Sequence, residues 1–316
     1  MKPYLFLIFL AFPVITNAQA INNSWTYSNI KHANYVRHSY ENDFFTSSDE
    51  LYTQGINMEY VTPALQKLPT SHLLLHTQNS NIQYGLALQH NGYTPISIQD
   101  PAIRYGDRPY GSALMLQPFT IATNEARKQR IATMLSVGVT GKISTGEWQQ
   151  KTIHRYGNNV QPEGWDYQIA NDLILNYRIQ YEKQILHINN MLSINATALA
   201  DAGTLLTQAT GGANIMLGYF ESPYATEHKR KFAMYVYSHA QVHVVGYNTM
   251  LQGGFLSKSV YTISSSDIER LVAQSRTGVV VRYGGLYLEY FRTFLTREFS
   301  TGYIHAWGGL EIGVGF

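Results

Sequence analysis

Apolar and polar residues alternate along stretch after stretch of this chain, with turn-forming residues between, and that limits it to strands with one face of each kind. At 52–61, Ile56, Met58 and Tyr60 fall on one side, and Thr53, Gly55, Asn57 and Glu59 on the other. At 172–184, Leu173, Leu175, Tyr177, Ile179 and Tyr181 oppose Asn176, Arg178, Gln180 and Glu182. A soluble sandwich also alternates, but it rarely sets Arg, Gln and Glu in a row against Tyr and Leu. A membrane barrel does so because lipid meets its outside and its lumen is polar.

The alternation predicts strands near 34–42, 52–61, 82–93, 111–122, 131–143, 172–184, 191–200, 206–220, 232–245, 268–283, 285–295 and 303–316. Twelve is an even number, as single-chain bacterial barrels require. The fold expected is all-β: one transmembrane antiparallel β-barrel of about 12 strands, with long extracellular loops and a short loop helix. Charged residues make up only 14% of the chain, against 24 Tyr and 13 Phe, and no polybasic surface accompanies a net charge of +2. Nucleic acid is therefore excluded as a partner. With no cysteine, disulfides and thiolate metal sites are excluded too. Residues 1–20 read as a secretory signal peptide, with Lys2 before the apolar run Leu5–Ile15 and cleavage after Ala18 or Ala20, leaving 21–316 as the barrel. Leu310, Ile312, Val314 and the terminal Phe316 share one face of the last strand, which resembles the C-terminal signature read by the barrel-assembly machinery of outer membranes.

If the processed N-terminus is periplasmic, the connections after odd-numbered strands face outward, and the chemically dense segments fall in them. The first is Tyr40-Glu41-Asn42-Asp43-Phe44-Phe45 with Asp49-Glu50-Leu51-Tyr52-Thr53. Its carboxylate, amide and hydroxyl oxygens are hard ligands suited to Ca2+, although a polar loop that merely ends the ladder would carry the same residues. Asn42 and Asp43 point to opposite faces of a regular strand, so the chain must bend there, or one must act through its backbone. The second is Tyr105-Gly106-Asp107-Arg108-Pro109-Tyr110-Gly111, where Arg108 either grips a phosphate or pairs with Asp107 to hold a turn. The third spans 144–168: a short helix begun after Ser144-Thr145 and stopped by Gly157 carries Trp148 and His154, and Trp165 follows. Both indole rings suit a membrane interface, and His154 is the candidate general base. No Gly-x-Ser-x-Gly elbow is present. His239 and His243 lie roughly 13 Å apart along a strand, too far to share a metal.

Taken in order, Glu41-Asn42-Asp43-x-Phe45, Asp49-x-x-Tyr52-Thr53-x-Gly55, Gly106-Asp107-Arg108-Pro109-Tyr110-Gly111, Gln150-x-x-x-His154, Gly164-Trp165-x-x-Gln168 and Tyr247-Asn248-x-x-Leu251-Gln252-Gly253 resemble the lipid A 3'-O-deacylases of Gram-negative outer membranes. The resemblance implies a barrel whose site lies at the outer rim, facing the cell exterior, and a calcium-dependent hydrolysis of the ester that links the 3' acyloxyacyl chain to lipid A. It implies Asn42, Asp43, Thr53 and His154 as the reactive group, the first three also as ion ligands, with Arg108, Trp148 and Trp165 toward the substrate. Gln161-Pro162 departs from members with an aromatic there, which bears on substrate orientation. Two other readings stand beside it: a passive porin-like barrel lined by Arg178, Glu182 and Arg282, and an outer-membrane phospholipase, for which no serine stands out near His154.

Overall fold

The computed structural model describes residues 23–43, 52–227 and 229–316. The expected signal peptide and the Phe45, Asp49 and Glu50 part of the first motif lie outside the described residues. The strands are β1 (Tyr35–Asn42), β2 (Tyr52–Val61), β3 (Asn81–Tyr93), β4 (Gly111–Asn124), β5 (Gln129–Thr140), β6 (Leu173–Ile188), β7 (Leu192–Gly203), β8 (Leu206–Tyr219), β9 (Phe232–Asn248), β10 (Leu271–Tyr283), β11 (Leu286–Leu295) and β12 (His305–Gly315). Each pairs antiparallel with its neighbours, and β1 meets β12 from Tyr35↔Gly315 to Asn42↔Gly308, so the barrel closes. Closure pairs both edges of each described strand, which a lipid environment demands.

One set of alternating residues faces outward, among them Val36, Met58, Leu88, Leu175 and Val314, all exposed and apolar. The other set fills the lumen. There Arg276 joins Glu289 at 2.8 Å, Glu311 at 2.7 Å and Glu41 at 3.4 Å. Arg37 reaches Glu59 at 2.7 Å. Charges this deeply buried persist only when paired and hydrogen-bonded.

Through the lumen runs a segment that the alternation did not reveal. Residues 23–30 are buried, and they bond to strands on several sides of the barrel. Glu182 of β6 accepts from the Thr26 amide at 2.9 Å and its hydroxyl at 2.6 Å. The Tyr27 hydroxyl lies 3.1 Å from His239 of β9, and its ring stacks on Tyr237 at 4.0 Å. Ser28 donates to Glu289 of β11, and its carbonyl accepts from Arg37 of β1. Trp25, Tyr27 and Ile30 thereby join the apolar core of the lumen.

Three local features depart from simple alternation. Between Tyr52 and Gln54 the β2–β3 register slips by one residue. The bulge turns Tyr52 into the lumen against Tyr93 and Trp307, with ring centroids 5.5 and 5.2 Å away. Thr53 is thereby removed from the lumen row that alternation predicted for it, because one extra residue exchanges the faces. The β2–β3 connection, at the end where short turns are expected, is long. It carries two 3-10 segments, Pro63–Lys67 and Pro69–Leu73, and reaches the outer wall where its Leu75 carbonyl accepts from Thr133. At the opposite end the β7–β8 turn is short, from Gly203 to Leu206. The predicted loop helix is present as α1 (Gly146–Gly157).

Candidate functional site on the outer wall

Asn42 is the last residue of β1 and belongs to its outward set with Val36, His38 and Tyr40. Its amide donates to the Thr53 carbonyl at 2.5 Å and to the Tyr40 hydroxyl at 3.2 Å. Asp43 follows where the strand has already ended, and it is fully buried. The bend required by two adjacent polar residues is therefore the strand end itself. The Thr53 hydroxyl lies 2.8 Å from that of Thr94, so the bulge faces the second loop of this rim.

Helix α1 lies against the outside of the wall. Gly146, Gln150 and His154 form its buried face at i, i+4, i+8 spacing. At its N-terminal end Ser144 and Ser112 of β4 bring their hydroxyls within 2.5 Å. Further along, Gln149 accepts from Gln54 of β2 at 2.9 Å. The helix is thus tied to β4 at its start and to β2 at Gln149, whose partner Gln54 adjoins Thr53. Val160 fixes the ring: its carbonyl lies 2.5 Å from His154 Nδ1. A carbonyl can only accept, so Nδ1 holds the proton and Nε2 is the basic nitrogen.

Trp165 braces this arrangement from behind. Its indole N–H donates to Gln150 at 2.7 Å, and its ring packs on Tyr110 at 5.0 Å, with Ile98 completing the cluster. At 1% exposure it stands inside the loop, away from the membrane interface expected for it, whereas Trp148 on the opposite face of α1 is 68% exposed. Burial pushes the Tyr110 phenol above its ordinary range, keeping it a neutral donor to the Ile98 carbonyl at 3.3 Å. An added Cβ at Gly146 would stand 2.4 Å from Ser112 and 3.0 Å from Trp165. Gly146→Val is expected to cost about 1–3 kcal/mol of loop docking through overpacking. Limited proteolysis should then cut within 141–172 while the strands stay protected; an uncut loop would mean that α1 does not depend on that close approach.

Arg108 is 2% exposed, and its guanidinium pairs with the Glu298 carboxylate and stacks over the Tyr93 ring at 4.7 Å. Its partner is thus Glu298, while Asp107 pairs with Arg104 at 3.2 Å and accepts from the Ile96 amide at 3.0 Å. Sequence reasoning quoted Gln150 in a motif without a role, and passed over Gln54, which docks α1 through Gln149, and His90, buried on the outward face of β3 beside the Ser144 backbone. Only cross-strand register could have found them.

Among the described residues no three His, Asp or Glu side chains converge as a metal site. The donors at the β1–β2 seam are all oxygens: the Asp43 carboxylate, the Asn42 amide, and the Thr53 hydroxyl and carbonyl. In kind they fit a hard cation.

A family model described as Outer membrane protein LpxR matches residues 5–316. The solved structure of LpxR from Salmonella typhimurium aligns with a TM-score of 0.75 at 18% identity, covering 89% of this chain and 100% of that one. The β domain of the Bordetella autotransporter Brka gives a TM-score of 0.46 at 10% identity, over 90% of this chain and 100% of that one. None of the curated proteins matches the chain.

Proposed function

The chain belongs to the Outer membrane protein LpxR family, and from that premise we propose that it is a lipid A 3'-O-deacylase acting at the exterior face of the outer membrane. This is the family that the ordered sequence motifs resemble, and its members are outer-membrane barrels. One observation carries the reading beyond the family: among the described residues, α1 is the loop helix of three turns, it lies outside the wall with the tautomer of its His154 fixed by Val160, and its Gln149 bonds Gln54, next to the Thr53 whose carbonyl accepts from Asn42. A site that opens sideways suits a substrate that lives in the lipid leaflet.

In this mechanism Nε2 of His154 takes a proton from water, and the water oxygen bonds to the ester carbonyl carbon. The tetrahedral intermediate collapses as the bond to the 3' oxygen breaks. The imidazolium then returns its proton to that oxygen, leaving a 3' hydroxyl on lipid A and an acyloxyacyl carboxylic acid. Val160 holds the ring in one tautomer throughout, while Gln149 and Gln150 fix the helix that carries it. Asp43, Asn42 and Thr53 would hold calcium, which when bound supplies Lewis-acid polarisation of the ester carbonyl.

A conducting barrel would need an open lumen. Of the three charges that would line it, Glu182 holds Thr26, Arg178 pairs with Asp201 at 2.8 Å, and Arg282 with Glu221 at 3.1 Å. The porin reading therefore has no support from these residues. Mass spectrometry of lipid A from cells expressing the chain should show loss of one acyloxyacyl group from the 3' position. Unchanged lipid A would overturn the reading. With purified protein, EGTA should stop the reaction and added calcium restore it, whereas indifference to EGTA would remove the ion from the account.

A further inference from the structure

On the outward face of the wall, the rung that carries Asn42 continues across the barrel seam. Asn42 pairs with Gly308 of β12, and Gly308 pairs with Arg292 of β11. Strands lie about 4.8 Å apart, so Arg292 stands roughly 10 Å from Asn42, and the residue between them has no side chain. Arg292 belongs to the outward set of β11 with Leu286, Leu288, Tyr290 and Phe294. It is exposed, whereas the other described strand arginines, Arg37, Arg130, Arg178, Arg276 and Arg282, are buried in the lumen.

The rung below is built to match. Tyr290, Leu310 and Tyr40 lie side by side on it. Tyr40 accepts from the Asn42 amide at 3.2 Å, and Tyr290 accepts from Arg292 Nε at 3.1 Å. Two tyrosine-supported polar groups thus flank a glycine notch that opens toward lipid. A cation on a lipid-facing wall is costly unless it reaches the interface or meets an anion.

We propose that Arg292 is a substrate-positioning residue that binds a phosphomonoester of lipid A, the one on the carbon beside the 3' oxygen. The assignment rests on the deacylase reading. It gives the phosphate contact expected of Arg108 to a guanidinium that faces the leaflet, while Arg108 keeps Glu298. A guanidinium grips a phosphate through two parallel N–H donors, and here that grip would hold the sugar so that its 3' ester falls over the notch. The alternative role for an arginine at such a height is to snorkel toward the headgroups, a role indifferent to which lipid is being cleaved.

The two are separated by kinetics in mixed detergent–phospholipid micelles, using bisphosphorylated lipid A and lipid A from which the neighbouring phosphate has been removed. Arg292→Ala should raise KM on the first substrate by roughly tenfold to a hundredfold with kcat little changed. Wild type should show the same rise on the second substrate, where the variant shows no further loss. Arg292→Lys, which keeps the charge and loses the fork, should fall between. An unchanged KM in Arg292→Ala, or an equal loss on both substrates, would overturn the assignment while leaving the deacylase reading in place. A wild-type barrel inactive on both substrates would overturn both.

Discussion

Replacing His154 with alanine is expected to lower kcat for lipid A deacylation by about a thousandfold, within the usual 10²–10⁴ range for loss of a general base, with KM little changed. The expectation follows from the ring's surroundings. Nδ1 is committed to the Val160 carbonyl, so all of the basicity resides in Nε2, and alanine leaves nothing to replace it. His154→Gln is the sharper control, because its amide can still donate toward Val160 and keep the helix end in place while accepting no proton. Both variants should migrate as folded barrels in heat-modifiability gels, since α1 docks through Ser144, Gln149 and Gln150. If His154→Gln kept near wild-type kcat, the base would have to be sought elsewhere.

The second large effect is on stability. Arg276→Ala is expected to destabilise the barrel by about 3–5 kcal/mol, the cost of breaking a buried ionic cluster from one side. Its guanidinium serves Glu289, Glu311 and Glu41, and also donates to the Tyr237 hydroxyl at 2.8 Å. Removing it leaves three buried carboxylates facing one another. The urea midpoint measured by heat-modifiability should fall well below wild type. Adding Glu311→Gln to that variant should recover part of the loss, because one of the stranded charges is gone. A midpoint within error of wild type would show that the lumen is hydrated enough to neutralise the carboxylates unaided.

The strands were legible because their signal is local: a period of two survives in any ten-residue window. Each of the twelve expected ranges overlaps a strand found in the structure. The helix around His154 was legible for the same reason. What escaped was set by pairing between distant segments. The bulge at Thr53 needs the β2–β3 register, which no single strand encodes. Asn23 to Ile30 show no strand alternation, because their partners, Glu182, His239 and Glu289, surround them from several strands. Arg108 stands beside Asp107 in the chain, yet Glu298, far along the chain, takes its charge. Arg292 and Asn42 share a rung only once the barrel has closed.

The buried N-terminal segment has a kinetic consequence. Thr26 is 156 residues from Glu182, Tyr27 is 212 from His239, and Ser28 is 261 from Glu289. Contacts this distant form late, because chain entropy must be spent before any of them contributes. A sheet closed ahead of time would shut this segment out, and a segment left outside would strand Glu182 without Thr26. Zipping of β1 to β12 and entry of residues 23–30 are therefore expected to be coupled, and a slow phase in refolding should report both the seam and the segment with a single rate.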